Sequence, residues 1–315
     1  MLTIRASGWH PDLPDRRDYT WAHERVAAQL RILPPLALNP SRVDWRSFCS
    51  SCPQQGDGEQ ADGEQGERDD RGAGDRGKGA RRGGDRGSIH CCLELLEQTL
   101  YRLQGKRPVF SRRFVHYNAW RTARAEGGPP LAIRTVWKSI RRIGVVVDAF
   151  CRAEVQEPPS LRHSRSAPDA FSYSAACRFP QLHYVRLDRC GQPGSETLAS
   201  LRSCLAAGFL CVFGIPLSRS AGEEGEIAFP TVFDDLQGGQ ALLAVGYDDH
   251  RRLRSDRGCL LVRGSWGREW GEEGYGWLPY SYLQEKLAMD FWTIFTPEWL
   301  ASGEYQSPLG PLPEP

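Results

Sequence analysis

Apolar residues fall along this chain at two different spacings, and the spacing decides the element. Leu93, Leu95, Leu96, Leu100 and Leu103 recur at helical intervals, which predicts a helix buried along one side and ending near Gly105. Ile133, Val136, Trp137, Ile140 and Ile143 repeat the pattern, and Gly144 follows as a stop. Glu196 to Ala207 places Leu198, Leu201 and Leu205 on one face and ends at Gly208, a further short helix. Leu182 to Leu187 alternates as LHYVRL, while Phe209 to Ile215, Ala241 to Val245, Cys259 to Val262 and Phe291 to Ile294 are compact apolar runs; all five read as strands. The runs at 241–245 and 259–262 flank Gly246-Tyr247-Asp248-Asp249 and a charged tip, which predicts a hairpin turning at 246–249 and set against a core.

Residues 57–86 break this pattern. They hold no aromatic, β-branched or large aliphatic residue, so they cannot bury enough apolar surface to offset the entropy of ordering, and disorder is expected. Acids dominate Asp57 to Asp70; Arg71, Arg76, Lys78, Arg81, Arg82 and Arg86 dominate the rest. The segment is read as a tolerated surface insertion or as a tether beside a functional cleft. Elsewhere a chain of 315 residues that is 40% apolar has material for one large domain or two lobes. A formal charge of +1 gives no argument for nucleic acid or an anionic membrane as partner. The first thirteen residues hold one basic residue and no apolar run, and no eighteen-residue apolar stretch occurs. Neither a signal peptide nor a transmembrane helix is expected, and the ten scattered cysteines read as reduced thiols of a cytoplasmic protein. Cys49-Ser-Ser-Cys52 lacks the second pair that would complete a zinc site; no metal or cofactor is expected.

The motifs carry more than the composition. Residues 238–249 read GGQALLAVGYDD, and 263–275 read RGSWGREWGEEGY, with Trp266 and Trp270 flanked by glycines. This resembles the C-terminal half of the papain-like cysteine peptidases, which runs GGHAVLAVGYDD and then RNSWGxxWGxxGY. Four further anchors agree. GWHPDLPDRRDYT at 8–20 resembles the leader of bacterial members. Val43-Asp44-Trp45-Arg46 followed by Pro53-Gln54-Gln55-Gly56 resembles the family's entry to its active site. Gly87-Ser88-Ile89 stands where the family has GSC at the start of its central helix. FSRRFVHYNAWRTARAE at 110–126 resembles the next helix, with Phe114, Tyr117 and Trp120 packing inward. The resemblance implies a two-lobed α+β fold, a helical lobe packed on a β-barrel-like lobe with a cleft between. The boundaries expected are a leader over 1–42, the helical lobe over 43–180 interrupted by 57–86, the second lobe over 181–300 and a mobile tail over 301–315. A leader of about forty residues is too short for the helical pro-region of secreted relatives, so a self-inhibiting zymogen is not expected.

By the same resemblance, Ile89 falls at the nucleophile's position, Gln240 at that of the general-base histidine and Gly264 at that of the asparagine orienting it. Isoleucine has no proton to lose, a glutamine amide accepts none near neutral pH, and glycine has no side chain to orient anything. Gln55 matches the oxyanion-hole glutamine but reads equally as a turn residue beside Gly56. No catalytic residue is expected. Gln55, Ile89, Gly239, Gln240, Trp266 and Trp270 are the expected lining of a cleft that could hold an extended peptide or a protein segment by main-chain hydrogen bonds.

Two other readings stay open. Cys91 and Cys92 could serve a divergent thiol hydrolase or transferase with a relocated base, His183 or His250. Cys91 should face away from Ile89, since two residues turn a helix by about 200°; His90 is no candidate base because adjacent helical residues do not face each other. Alternatively the charged insertion, rather than the cleft, contacts a partner. Oligomeric state is not legible in the sequence.

Overall fold

The structure, a computed structural model, describes residues 8–15, 18–21, 23–30, 40–49, 87–126, 132–151, 167–218, 222 and 224–301. Its helices are α1 (Glu24–Leu30), α2 (Gly87–Gln104), α3 (Arg112–Glu126), α4 (Ile133–Ile143), α5 (Ala170–Ser174), α6 (Gly194–Ala206), α7 (Ser281–Gln284) and α8 (Pro297–Ala301). The strands are β1 (Arg42–Asp44), β2 (His183–Arg186), β3 (Cys211–Ser218), β4 (Leu236–Leu253), β5 (Asp256–Arg263), β6 (Tyr275–Pro279) and β7 (Met289–Phe295). They form an antiparallel sheet in the order β2-β7-β3-β4-β5-β6, with β1 added against β4.

Alternation along β4 divides the core in two. Leu242 and Ala244 join one apolar cluster with Leu198, Leu201 and Leu205 of α6, whereas Ala241, Leu243 and Val245 join the other with Ile89, Leu93 and Leu96 of α2 and Val136, Trp137 and Ile140 of α4. Successive strand side chains point to opposite faces, so one strand ties helices on both sides. Between the sheet and the other helices of its lobe, α2 is enclosed so fully that Glu94, Glu97 and Gln98 are buried with its leucines. The expected one-sided burial is therefore exceeded, and those polar groups need partners within the protein. At the other extreme, α4 buries Ile133, Val136, Trp137 and Ile140 and turns Arg141 and Arg142 outward.

The four expected helices and the five expected strand segments are all present. One turn is misplaced by sequence reading. Residues 246–249 continue β4, and the hairpin reverses at Arg254-Ser255, with Arg254 in the left-handed region (φ 53°). The reason lies on both edges of the strand. Register shifts between Ala244 and Gly246 and between Asp248 and Arg252 absorb extra residues against β5, while β1 pairs with 246–248 from the other side. The buried Tyr247 then donates its hydroxyl to Pro40 O at 2.7 Å.

The described residues of 8–21 form no helix, as the prolines and aspartates of that segment imply. The Gly8 and Trp9 amides donate to Gly239 O at 3.0 and 3.1 Å, and the Trp9 indole lies flat where a side chain at Gly214 would otherwise stand. Arg134 of α4 holds Asp12 and Asp18 at 2.9 and 2.7 Å, which binds the strap to the helical lobe. The insertion, Gln55, Cys52 and the tail lie outside the described residues, as does most of 219–223. Among the described residues no helix is long and apolar enough to cross a membrane.

Candidate functional site

The first turn of α2 meets β4 at one oxygen. Cys91 Sγ donates to Ala241 O at 3.2 Å, and Gln240 Nε2 donates to the same oxygen at 2.8 Å and lies 3.5 Å from Ser265 Oγ. Ile89 packs into the core cluster that holds Ala241. The structure thus draws together α2, Gln240 and the 264–266 turn, the three places that the resemblance assigns to catalysis. Their side chains face inward: Ile89 is 2% exposed, Gln240 fully buried, Trp270 fully buried and Trp266 8% exposed. Gly239 is half-buried beneath the leader's main chain. Gln55, the remaining expected lining residue, lies outside the described residues.

Gly264 has a local cause. Trp266 lies edge-on to Trp270 with centroids 4.5 Å apart, Trp270 donates to Gly222 O at 3.3 Å, and a Cβ at 264 would overlap the Trp266 ring. With the indoles so placed, any side chain at 264 displaces one of them.

Electrostatics around the helix start favour neutral groups. Burial raises the thiol pKa of Cys91, and the neighbouring Glu94 charge raises it further; burial, then Cys91, does the same for Cys92. A helix N-terminus would favour the thiolate, but here desolvation outweighs it. Burial also pushes Cys49 up to about 11. His90 accepts from Arg112 Nε at 3.1 Å, and burial followed by the Arg112 charge pushes its pKa down to about 3, so the ring is a neutral acceptor. His183 stacks on Phe295 at 5.3 Å, and His250 lies in the hairpin with its ring 3.1 Å from Arg257. Among the described residues no hydrogen bond joins either candidate sulfur to an imidazole. Nor does any group of three His, Cys, Asp or Glu residues there have the geometry to hold a metal ion.

Two buried ionic networks frame this region, and sequence reasoning missed both. Glu94 meets Arg263 at 3.0 Å, Arg107 at 2.5 Å and Gln98 at 2.6 Å. Burial alone would raise its pKa; the charges of Arg263 and Arg107 outweigh burial and hold the carboxyl well below its usual range. Arg107 also holds Glu97 at 2.8 Å, and Arg263 donates to the Tyr275 hydroxyl at 3.1 Å. Across the sheet, Asp290 accepts from Trp9 Nε1 at 3.3 Å and Trp292 Nε1 at 2.7 Å and lies 3.2 Å from Arg186. Burial lifts Asp290 to about 7 against the pull of Arg186. The one visible signal was charged residues inside apolar runs: Glu94 among leucines, Arg263 at the end of CLLVR, Asp290 before FWTIF.

This geometry can be set beside known proteins. Over 94% of its length the chain superposes on 99% of xylellain, a cysteine protease from Xylella fastidiosa, with a TM-score of 0.62 and 26% identity. The fold is papain-like. A digestive procathepsin L of Tenebrio molitor larval midgut gives a TM-score of 0.51 at 16% identity over 94% of this chain and 76% of that one, a likeness of fold alone. In sequence, residues 227–287 match the model of the papain family cysteine proteases. An uncharacterized peptidase C1-like protein of Acanthamoeba polyphaga mimivirus is 28% identical over 192 residues, which span 58% of this chain and 58% of that relative's length. The stretch that matches the family model runs from Ile227, between β3 and β4, past Trp266 and Trp270, and so covers two of the three positions at issue.

Proposed function

We propose that this chain is a catalytically silent papain-like protein that acts by binding a peptide or protein segment, with Ile89, Gln240 and Gly264 in place of the nucleophile, the base and its orienting partner. One observation carries the reading: Ile89, which motif spacing matches to the nucleophile's position, is an aliphatic side chain sealed in the core, 2% exposed. Chemistry there would need a sulfur that attacks, an imidazole that takes its proton and a partner that fixes the imidazole. Ile89 supplies no electron pair. Gln240 spends its amide N–H on Ala241 O, and Gly264 leaves its place to an indole.

The divergent thiol-enzyme reading asks more of Cys91 and Cys92 than their surroundings offer. Both are buried and have raised pKa values, and Cys91 uses its proton on Ala241 O. A cytoplasmic site of action and an inactive cleft that still holds ligand belong to this proposal.

The test is a hydrolysis assay with a quenched fluorescent peptide library and purified protein, run beside Cys91→Ser and Cys92→Ser. No turnover above a buffer blank is expected. Turnover that either substitution abolishes would overturn the proposal.

A further inference from the structure

A concave surface lined by one sign of charge lies away from the papain-like cleft, on the helical lobe. Two grooves, of about 420 and 530 Å3, run between α3 and α4 and join at Thr122 and Arg142. Among the described residues their charged lining consists of Arg121, Lys138, Arg141, Arg142 and Arg178, with no acid. We infer that this trough is a binding site for an acidic peptide segment, carrying Asp, Glu or phosphorylated side chains.

The placement of the cations argues for a ligand. Lys138, Arg141 and Arg142 stand at i, i+3 and i+4 on α4, where helical side chains are neighbours and like charges repel. Arg141, Arg142 and Arg178 make no ion pair among the described residues, and all three are exposed. Elsewhere on the same lobe Arg134 holds Asp12 and Asp18, and Arg107 holds Glu94 and Glu97. The helix dipole favours cations in the last turn of α4, which accounts for Arg141 and Arg142. It does not account for Arg178 on the facing loop; the Arg121 guanidinium on α3 is held by the Tyr117 ring and the Tyr173 hydroxyl at the trough's wall. Guanidinium groups converging on one trough suit the planar, bidentate recognition of carboxylate and phosphate.

The tyrosines in the trough favour a peptide over a nucleic acid. Single-stranded nucleic acid needs aromatic faces on which bases can stack. Here Tyr117 lies under Arg121 at 5.8 Å, Tyr173 packs on Phe114 at 5.2 Å and gives its hydroxyl to Asn118 Oδ1 at 3.0 Å, and Tyr184 packs on Trp292 at 5.8 Å. Their rings are engaged with the protein, the amide of Asn118 is spent on Phe114 O and the Tyr173 hydroxyl, and what the trough offers is cations.

Fluorescence anisotropy with the full chain tests this, using a fluorescein-labelled decaglutamate peptide, the same peptide length with phosphoserines, and a labelled ten-nucleotide oligothymidine. Saturable binding of at least one of the two peptides is expected, weakened about tenfold or more in Arg141→Glu/Arg142→Glu and unchanged in Arg268→Glu on the other lobe, with matching circular dichroism melts for all three proteins. Preference between the two peptides would separate carboxylate from phosphate as the natural ligand chemistry. No saturable binding of either peptide, binding indifferent to the double substitution, or tighter binding of the oligothymidine would each overturn the inference.

Discussion

At the start of α2 charge is internal and answered within the protein. Glu94 lies between Arg263 and Arg107, His90 is neutral beneath Arg112, and the thiols nearby hold their protons. In the α3/α4 trough charge is external, of one sign, and in Arg141, Arg142 and Arg178 unanswered by any acid among the described residues. The first region holds the positions proposed for a papain-like fold's chemistry, and its side chains are packed in the core. The second takes no part in that chemistry and keeps the polar, solvent-facing character of a place that meets another molecule. Fold is shared with cysteine proteases; function has to be read from such local differences.

The contrast makes graded predictions. Removing Arg263 should have the largest effect, because it leaves Glu94 buried with only part of its compensating charge. Arg263→Ala is expected to lose about 3–5 kcal/mol in urea unfolding, and a loss below about 1 kcal/mol would mean that the network is not sealed. Restoring the asparagine of the papain-like motif comes next. Gly264→Asn should cost about 1–3 kcal/mol by overpacking against Trp266, read as a lowered melting temperature without any gain of peptidase activity.

A pH series separates two carboxyls of opposite sign. The folded pKa of Asp290 is raised to about 7, so the unfolded chain gives up this proton first. Its stability contribution is full below the unfolded value of about 3.9 and is lost as pH rises toward 7. Glu94 has a lowered folded pKa, so its contribution is present above the unfolded value of about 4.3 and is lost as pH falls. The stability difference between wild type and Asp290→Asn should therefore change between pH 4 and 7, in favour of wild type at the acid end. A difference flat over that window would show that Asp290 is already ionised in the folded state. The smallest effect belongs to the trough, where Arg141→Ala/Arg142→Ala should shift stability by no more than about 1 kcal/mol.

Much of this was legible in the sequence, and the parts that were not share a cause. Helices α2 and α4 follow from leucine and isoleucine spacing with Gly105 and Gly144 as stops, and β3 and β7 from short apolar runs. The assignment of Ile89, Gln240 and Gly264 to the family's catalytic positions rests on motif spacing. The hairpin turn was misread because Gly246-Tyr247-Asp248-Asp249 has turn-forming residues, whereas pairing with β1 and two register shifts keep it in the strand. Local propensity cannot see a partner strand that lies about two hundred residues away. The same limit hid the site's supports: Glu94 and Arg263 come from distant segments, as do Trp9 and Asp290. Each reads alone as a polar residue in an apolar run or an aromatic in a leader. The trough escaped notice because a chain-wide charge of +1 conceals a cluster made of residues from α3, α4 and the loop before β2.

The central claim is that neither Cys91 nor Cys92 of this papain-like protein is an activated thiol. Intact-mass analysis after incubation with an epoxide probe that alkylates papain-type active-site cysteines tests it most directly, with Cys91→Ser and Cys92→Ser proteins alongside. The account predicts no stoichiometric adduct on folded protein, because both sulfurs are buried and protonated. One adduct per chain, lost when Cys91 or Cys92 becomes serine, would contradict it and return the chain to the enzymes.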